Sequence, residues 1–326
     1  MTIRPTLSST RAQALSGQLV AFFAALAFCS IPWPEIFEAV QGIPLNDRTN
    51  YINKTINYSI NINQRDFQYW YEFVSGEYLW GFILSYFSQD LNIDVEILLW
   101  VISLFTIYSF INETRKYAGW AYVPLLICPL IVMLAFDQSR IALAMSVVLP
   151  FWRQEKGTMS LMAIYAISSM IHTAMIAVAI MHLSAHFFRD EKRSNLLALV
   201  LVGGVISVVT GPAKHIFLSF INDRRAETEN LTASLSYMSF WIVAFLLTIW
   251  KWRSICRSVD GRLSVIVLSL CFVNVFTDGY STRWLAIFLP SIIVAFKTFP
   301  STPVSLPVIL FIPYNFMLWL YWFRVV

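Results

Sequence analysis

Apolar runs recur from about residue 15 to the C-terminus. They are broken by short polar stretches at 112–118, 137–140, 153–157, 188–193, 251–262, 278–283 and 297–302, and by two long ones at 34–93 and 211–235. The runs lack the period-2 alternation of a half-buried strand, so each predicts a helix. The segments expected are 14–33, 94–111, 119–136, 140–152, 158–171, 173–187, 194–210, 236–250, 263–277, 283–296 and 303–323. The stretch 158–187 carries His172 near its middle and reads as a helical hairpin turning there, not as one 30-residue span. Several segments have only 13 to 15 residues, short of the roughly 20 that cross a 30 Å hydrocarbon core. Such helices belong inside a bundle, are broken at mid-depth, or face a water-filled cavity. The stretch 76–91, "GEYLWGFILSYFSQDL", predicts an aromatic, amphipathic helix lying at the interface.

Composition fixes the solvent. The chain is 58% hydrophobic, 16% aromatic and 13% charged, against about 25% charged in soluble proteins. The expected fold is therefore an all-α, polytopic integral membrane bundle. It has about 11 transmembrane segments, some short or broken around an outer-face cavity, in a single domain over 1–326. The first run, followed by "PWP" at 32–34, reads as an uncleaved span with an interfacial stop. The four cysteines have no C-x-x-C pairing and sit in or beside apolar runs, which points to packing or lipid contact and to neither a disulfide framework nor a zinc site.

Charge then orients the spans. With the N-terminus inside, 14 of the 23 Lys and Arg fall on the inner side and 14 of the 19 acids on the outer side, the bias of the positive-inside rule. This makes 34–93 and 211–235 outer loops. The basic inner loops are orientation signals, not nucleic-acid sites.

On that topology the outer face gathers "PLNDRTNY", "YEFVSGEYLW", "DQSR", the His172 turn, "HIFLSFINDRRAETEN" and "DGYSTRW". Arg140, Arg225 and Arg283 lie there near carboxylates, and a guanidinium fork suits phosphate and carboxylate. Interfacial anchoring is the competing reading of Arg140 and Arg283, and a solvated loop that of Arg225. Tyr280, beside Asp278, is placed to hold Arg283. His182 and His186 are spaced i, i+4, but no accompanying Glu motif makes them a metal pair, and an inner-surface position is expected.

The ordered segments "NDRTNYINKTI", "SGEYLWGFILSYF", "SRIALAMSVVLPFWRQEKG", "SSMIHTAMIAVAIM" and "GYSTRWLAIFLP" resemble the EpsG/Wzy-type polysaccharide polymerases over residues 46 to about 290. The resemblance carries over Asp47, Tyr51, Glu77, Arg140, His172 and Arg283. The sequence departs from the family pattern at Tyr78, where a proline is usual, at Ile141, where a glutamine is usual, and in having one span before Asp47. It implies an enzyme at the periplasmic side of the bacterial inner membrane that joins undecaprenyl-diphosphate-linked oligosaccharides into O-antigen or exopolysaccharide, alongside membrane lipid and polysaccharide-assembly proteins. Asp47, Glu77 or His172 would act as base. Arg140 and Arg283, with Tyr51, Tyr280 and Arg225, would bind substrate. No metal or other cofactor is implied, because the donor is already activated. A lipid-linked oligosaccharide flippase and a multi-span glycan acyltransferase are the alternatives.

Overall fold

The computed structural model describes residues 7–53, 77–153, 158–213, 216, 235–277, 281–299 and 305–324. Among these the regular structure is entirely helical: α1 (Leu7–Cys29), α2 (Trp33–Gln41), α3 (46–53), α4 (Tyr78–Ser85), α5 (Val95–Tyr117), α6 (Pro129–Phe136), α7 (Ser139–Val148), α8 (Thr158–Ile171), α9 (Met175–Phe187), α10 (Arg193–Val208), α11 (Leu235–Trp250), α12 (Trp252–Ile255), α13 (Val259–Asn274), α14 (Ser281–Lys297) and α15 (Leu306–Trp322). Short π or 3-10 turns extend α4 to Asp90, α7 to Phe151 and α10 to Ala213.

Local chemistry explains the ends. Asp94 caps α5 by accepting the Glu96 N–H at 2.8 Å, Glu96 lies in its first turn, and Arg115 and Lys116 lie in its last, all matching the helix dipole. Ser258 caps α13 through the Gly261 N–H at 3.0 Å. Prolines occupy the first turns of α2, α6 and α15, where a missing N–H costs nothing.

By length and composition, three stretches are able to cross a membrane: Leu15–Gln41, Val95–Tyr117 and Arg193–Ala213. A fourth is counted if Pro129–Phe136 and Ser139–Phe151 form one span bent by 99°. The remaining apolar helices have 10–17 residues, so the eleven segments read from the sequence include many that are too short alone. The outermost helices display rows of exposed large apolar side chains, among them Leu19, Phe23, Leu197, Leu201 and Val205. Surfaces of this kind need an apolar solvent. The four cysteines are free and buried, so packing is their role.

The hairpin expected at His172 is present. Tyr165 on α8 and His182 on α9 have ring centroids 5.7 Å apart, whereas 17 residues of continuous helix would separate them by about 25 Å. α13 and α14 form the centre, nearly every residue of both being buried. α10 closes onto α13 at Gly203, where a Cβ would lie 2.3 Å from the Ile266 carbonyl oxygen. Small residues permit such approach between membrane helices. The stretch expected to lie flat at the interface folds as α4 and its π turn, with Trp80, Gly81 and Leu84 buried and Phe82 and Tyr86 exposed.

Two polar clusters mark opposite ends of the bundle. α7 with its extension starts beside Arg140 and leads to Arg153, a separation of about 20 Å. α14 likewise runs from Arg283 to Lys297. At the far end Arg153 donates to both oxygens of Asp260 at 2.7 and 2.6 Å and to Glu113 at 2.7 Å, with its guanidinium 3.8 Å from the Tyr117 ring centroid. The loops read as orientation signals therefore hold a buried ion cluster. Its sequence trace is the presence of acids in loops that are otherwise basic. His182 is corrected from the surface to the interior: it is fully buried, with Nε2 2.7 Å from the Trp152 carbonyl oxygen.

Candidate functional site

Six of the eight site residues expected from the sequence meet at the Arg140 end. They arrive from five helices, and all but Tyr51, which lies a turn further along α3, are at or just before a helix N-terminus. Asp47 and Tyr51 share a face of α3 at spacing i, i+4. Glu77 precedes α4, Arg140 is in the first turn of α7, His172 is in the turn before α9, and Arg283 is in the first turn of α14. Free N–H groups and the positive ends of five dipoles thus converge where two arginines already stand. Arg225 and Tyr280 lie outside the described residues.

Glu77 and Arg140 are the centre of the first group. Glu77 has a left-handed backbone (φ 51°), a conformation that costs a residue with a Cβ about 1–2 kcal/mol, and its carboxylate forms an ion pair with Arg140 Nη1. The other carboxylate oxygen faces the Thr173 N–H at 3.4 Å and His172 Nδ1 at 3.5 Å. Arg140 also donates from Nε to the Tyr51 hydroxyl at 2.8 Å, and Tyr51 packs edge-on against buried Trp80 at 5.2 Å. The fork is therefore held on two sides. His172 Nδ1 accepts the Ala174 N–H at 3.1 Å, fixing the hairpin turn.

Asp47, Arg283 and Asp137 form the adjoining group. Arg283 Nη2 is 3.8 Å from Asp47 Oδ2, with both side chains about a third exposed. Asp137, in the break between α6 and α7, accepts the backbone N–H of Asp47 at 2.9 Å. A carboxylate beside an anion site would repel the anion; this one instead caps α3 and couples the broken helix to the segment that carries Asp47 and Tyr51. Sequence reasoning did not give Asp137 that task. Its trace was a carboxylate between two apolar runs.

Further groups from the "EYLW" and "DQSR" segments stand beside Arg140. Trp80 Nε1, Gln138 Oε1 and Ser139 Oγ are buried without a hydrogen-bond partner among the described residues. Such atoms also occur away from Arg140, on Trp152, Tyr165 and His182 among others; beside Arg140 they leave three polar groups that a ligand or water would pair. Arg48 follows Asp47 on α3, but its guanidinium is directed to Glu96 and Glu35 and not to this cluster; its Nη1 is buried without a hydrogen-bond partner among the described residues. Burial lowers its pKa, and the nearby Glu96 and Glu35 carboxylates oppose that shift.

Chemically the cluster offers anion binding by arginines and helix N-termini, two carboxylates differing in exposure, and an imidazole. The described residues contain no group of three or more His, Cys, Asp or Glu arranged for a metal. Compared with known proteins, the chain matches no family model, no curated protein and no solved structure.

Proposed function

We propose that this protein is a membrane-embedded glycosyltransferase of the EpsG/Wzy type, which polymerises undecaprenyl-diphosphate-linked oligosaccharide units at the outer face of the bacterial inner membrane. The observation that carries this reading is the meeting of Arg140, Arg283 and five helix N-termini at one end of an apolar helical bundle. A diphosphate on a polyprenyl tail requires that combination: cationic grip and N–H donors at one end of a body whose flanks are apolar. In this reading the remaining short helices make up about eleven transmembrane segments around an outer-face cavity.

In the reaction an acceptor hydroxyl attacks the anomeric carbon of the donor unit. The new glycosidic bond forms as the bond to the diphosphate breaks, the undecaprenyl diphosphate leaves with the electron pair, and the hydroxyl proton passes to a base. Asp47 is the base of this scheme: it is the more exposed carboxylate, and its ion pair is long at 3.8 Å. Glu77 is a positioning group that holds Arg140 and faces His172. As the diphosphate enters, the Arg140 fork exchanges Glu77 for phosphate oxygens and keeps Tyr51 as its pivot. The donor brings its own activation, so the scheme calls on no cofactor.

The test is incubation of pure protein with a synthetic lipid-diphosphate repeat unit. A glycan ladder on a gel is expected; translocation without chemistry would instead make it a flippase, and an acylated monomer an acyltransferase. In the same assay Asp47→Asn should slow extension by about 10²–10⁴-fold, the usual loss on removing a general base. Glu77→Gln and His172→Ala should slow it less. Normal ladders from all three variants would remove these residues from proton transfer.

Sidedness has its own check. Arg140 and Arg283 start helices that end at Arg153 and Lys297, and the Lys/Arg bias assigns the latter end to the cytoplasm. Reporter fusions at Asn61 and Glu227 should be active outside and fusions at Arg115 and Arg257 inside. An Arg115 fusion active outside while the Asn61 fusion is also active outside would turn the bundle over after the first long loop and make 76–91 a span.

A further inference from the structure

At the end of the bundle opposite Arg140, a cavity of about 400 Å³ opens between the start of α10 and the end of α11. Arg193 and Leu196 line it from α10, Ile249 and Trp250 from α11, and Trp252 and Arg253 from α12. Glu191 also borders it, but its carboxylate is engaged by Arg257 at 3.0 Å. Arg193 and Arg253 have no ion-pair partner among the described residues, so the cavity presents two guanidinium groups beside two indoles, with Arg253 5.6 Å from the Trp252 ring centroid. Lys251 adds charge at the rim, its ammonium 3.9 Å from the Trp250 ring centroid.

Apolar surface continues from this cavity. α10 and α11 both rest on α13, through the Ser269 hydroxyl donating to the Val200 carbonyl at 3.3 Å on one side and a Phe245–Phe272 stack at 5.2 Å on the other. The face of α10 that begins at Arg193 carries exposed Leu197, Leu201 and Val205 at i+4, i+8 and i+12. The face of α11 that ends at Trp250 carries exposed Val243 and Leu246 at i−7 and i−4. Two arginines and two tryptophans therefore cap a pair of apolar stripes that lead away along the helices.

We propose that this cavity binds the phosphate headgroup of an anionic phospholipid, whose acyl chains lie along the stripes of α10 and α11. The charge is complementary, tryptophan favours the headgroup level, and basic pockets between membrane helices suit acidic headgroups. A lipid engages the arginines and the stripes together, whereas a soluble anion engages the arginines alone, so the occupant proposed is a lipid. The inference requires only that the chain sits in a bilayer and is independent of the polymerase reading.

The test titrates the full chain in detergent with phosphatidylglycerol or phosphatidylcholine of identical acyl chains and counts bound lipid by native mass spectrometry. Phosphatidylglycerol should bind preferentially, and Arg193→Gln with Arg253→Gln should weaken it on the order of thirty-fold, two surface cations' worth. Both residues are exposed, so the fold is spared. Removing the same charge elsewhere, by Lys116→Gln with Arg189→Gln, should leave binding unchanged. Equal binding of the two lipids, equal loss in both double variants, or undiminished binding after removal of Arg193 and Arg253 would each overturn the site. Full displacement of the lipid by inorganic phosphate would overturn the lipid as occupant.

Discussion

Arg140→Ala should reduce polymerisation by about 10²–10³-fold, the loss typical of removing a group that stabilises developing negative charge. Arg140→Lys should also be markedly slower, although it keeps the charge. The guanidinium reaches Tyr51 with Nε and Glu77 with Nη1, two directions that a single ammonium cannot satisfy with the same geometry. The alanine variant strands the Glu77 carboxylate, only 14% of whose side chain is exposed. Thermal midpoints of Arg140→Ala and of Arg140→Ala with Glu77→Gln should therefore be measured beside the glycan ladder. If activity stays absent in the double variant while its stability returns, the loss belongs to the reaction. A lysine variant making glycan of normal length at normal rate would reduce Arg140 to an interfacial anchor, since lysine snorkels as well as arginine.

The largest effect on stability is expected at the other end. Arg153→Ala should destabilise the protein by about 3–5 kcal/mol, because it leaves two carboxylates, each about 5% exposed, without their shared cation. Thermal inactivation in detergent reads this directly. The triple variant Arg153→Ala, Glu113→Gln, Asp260→Asn should recover part of the loss, because neutral groups no longer demand the cation; the three residues act as one network, so their effects will not add. An unchanged midpoint in Arg153→Ala would mean that water already solvates the cluster. No change in the sidedness reporters is expected from Arg153→Ala, since the other inner cations remain.

The charges at the two ends are balanced differently. At the Arg153 end one cation meets two carboxylates, all directed inward onto α5 and α13, which pins the helices. At the Arg140 end the Arg140–Glu77 pair is close, but Arg283 and Asp47 are 3.8 Å apart and both about a third exposed, so that pair is the looser one. A binding region needs partners it can exchange.

Much of this was legible along the chain. Helical elements follow from long apolar runs without alternation. The hairpin at His172 follows because 30 residues of helix exceed the thickness of a bilayer. The break at Asp137–Gln138 follows from a charged interruption between apolar runs. Eight candidate residues are read from the chain, and the six of them that the structure describes come together. These features depend on local sequence and on transfer energies summed over a segment, which any reader of the chain can evaluate.

Partnerships were not legible. Nothing in the sequence says that Arg140 takes Glu77, 63 positions away, and not Asp137, three positions away, or that Asp137 turns to cap α3. Nor does it say that His182 lies beneath Trp152, that α13 is central, or that α10 is peripheral, although both helices are strongly apolar. The reason is physical. Hydrocarbon is as apolar as a protein interior, so hydrophobicity decides that a helix is in the membrane but not which of its faces meets protein. That choice, and with it the depth and rotation that bring one charge to another, is made by close packing, such as the approach of Gly203 to the Ile266 carbonyl, and only the tertiary structure contains it.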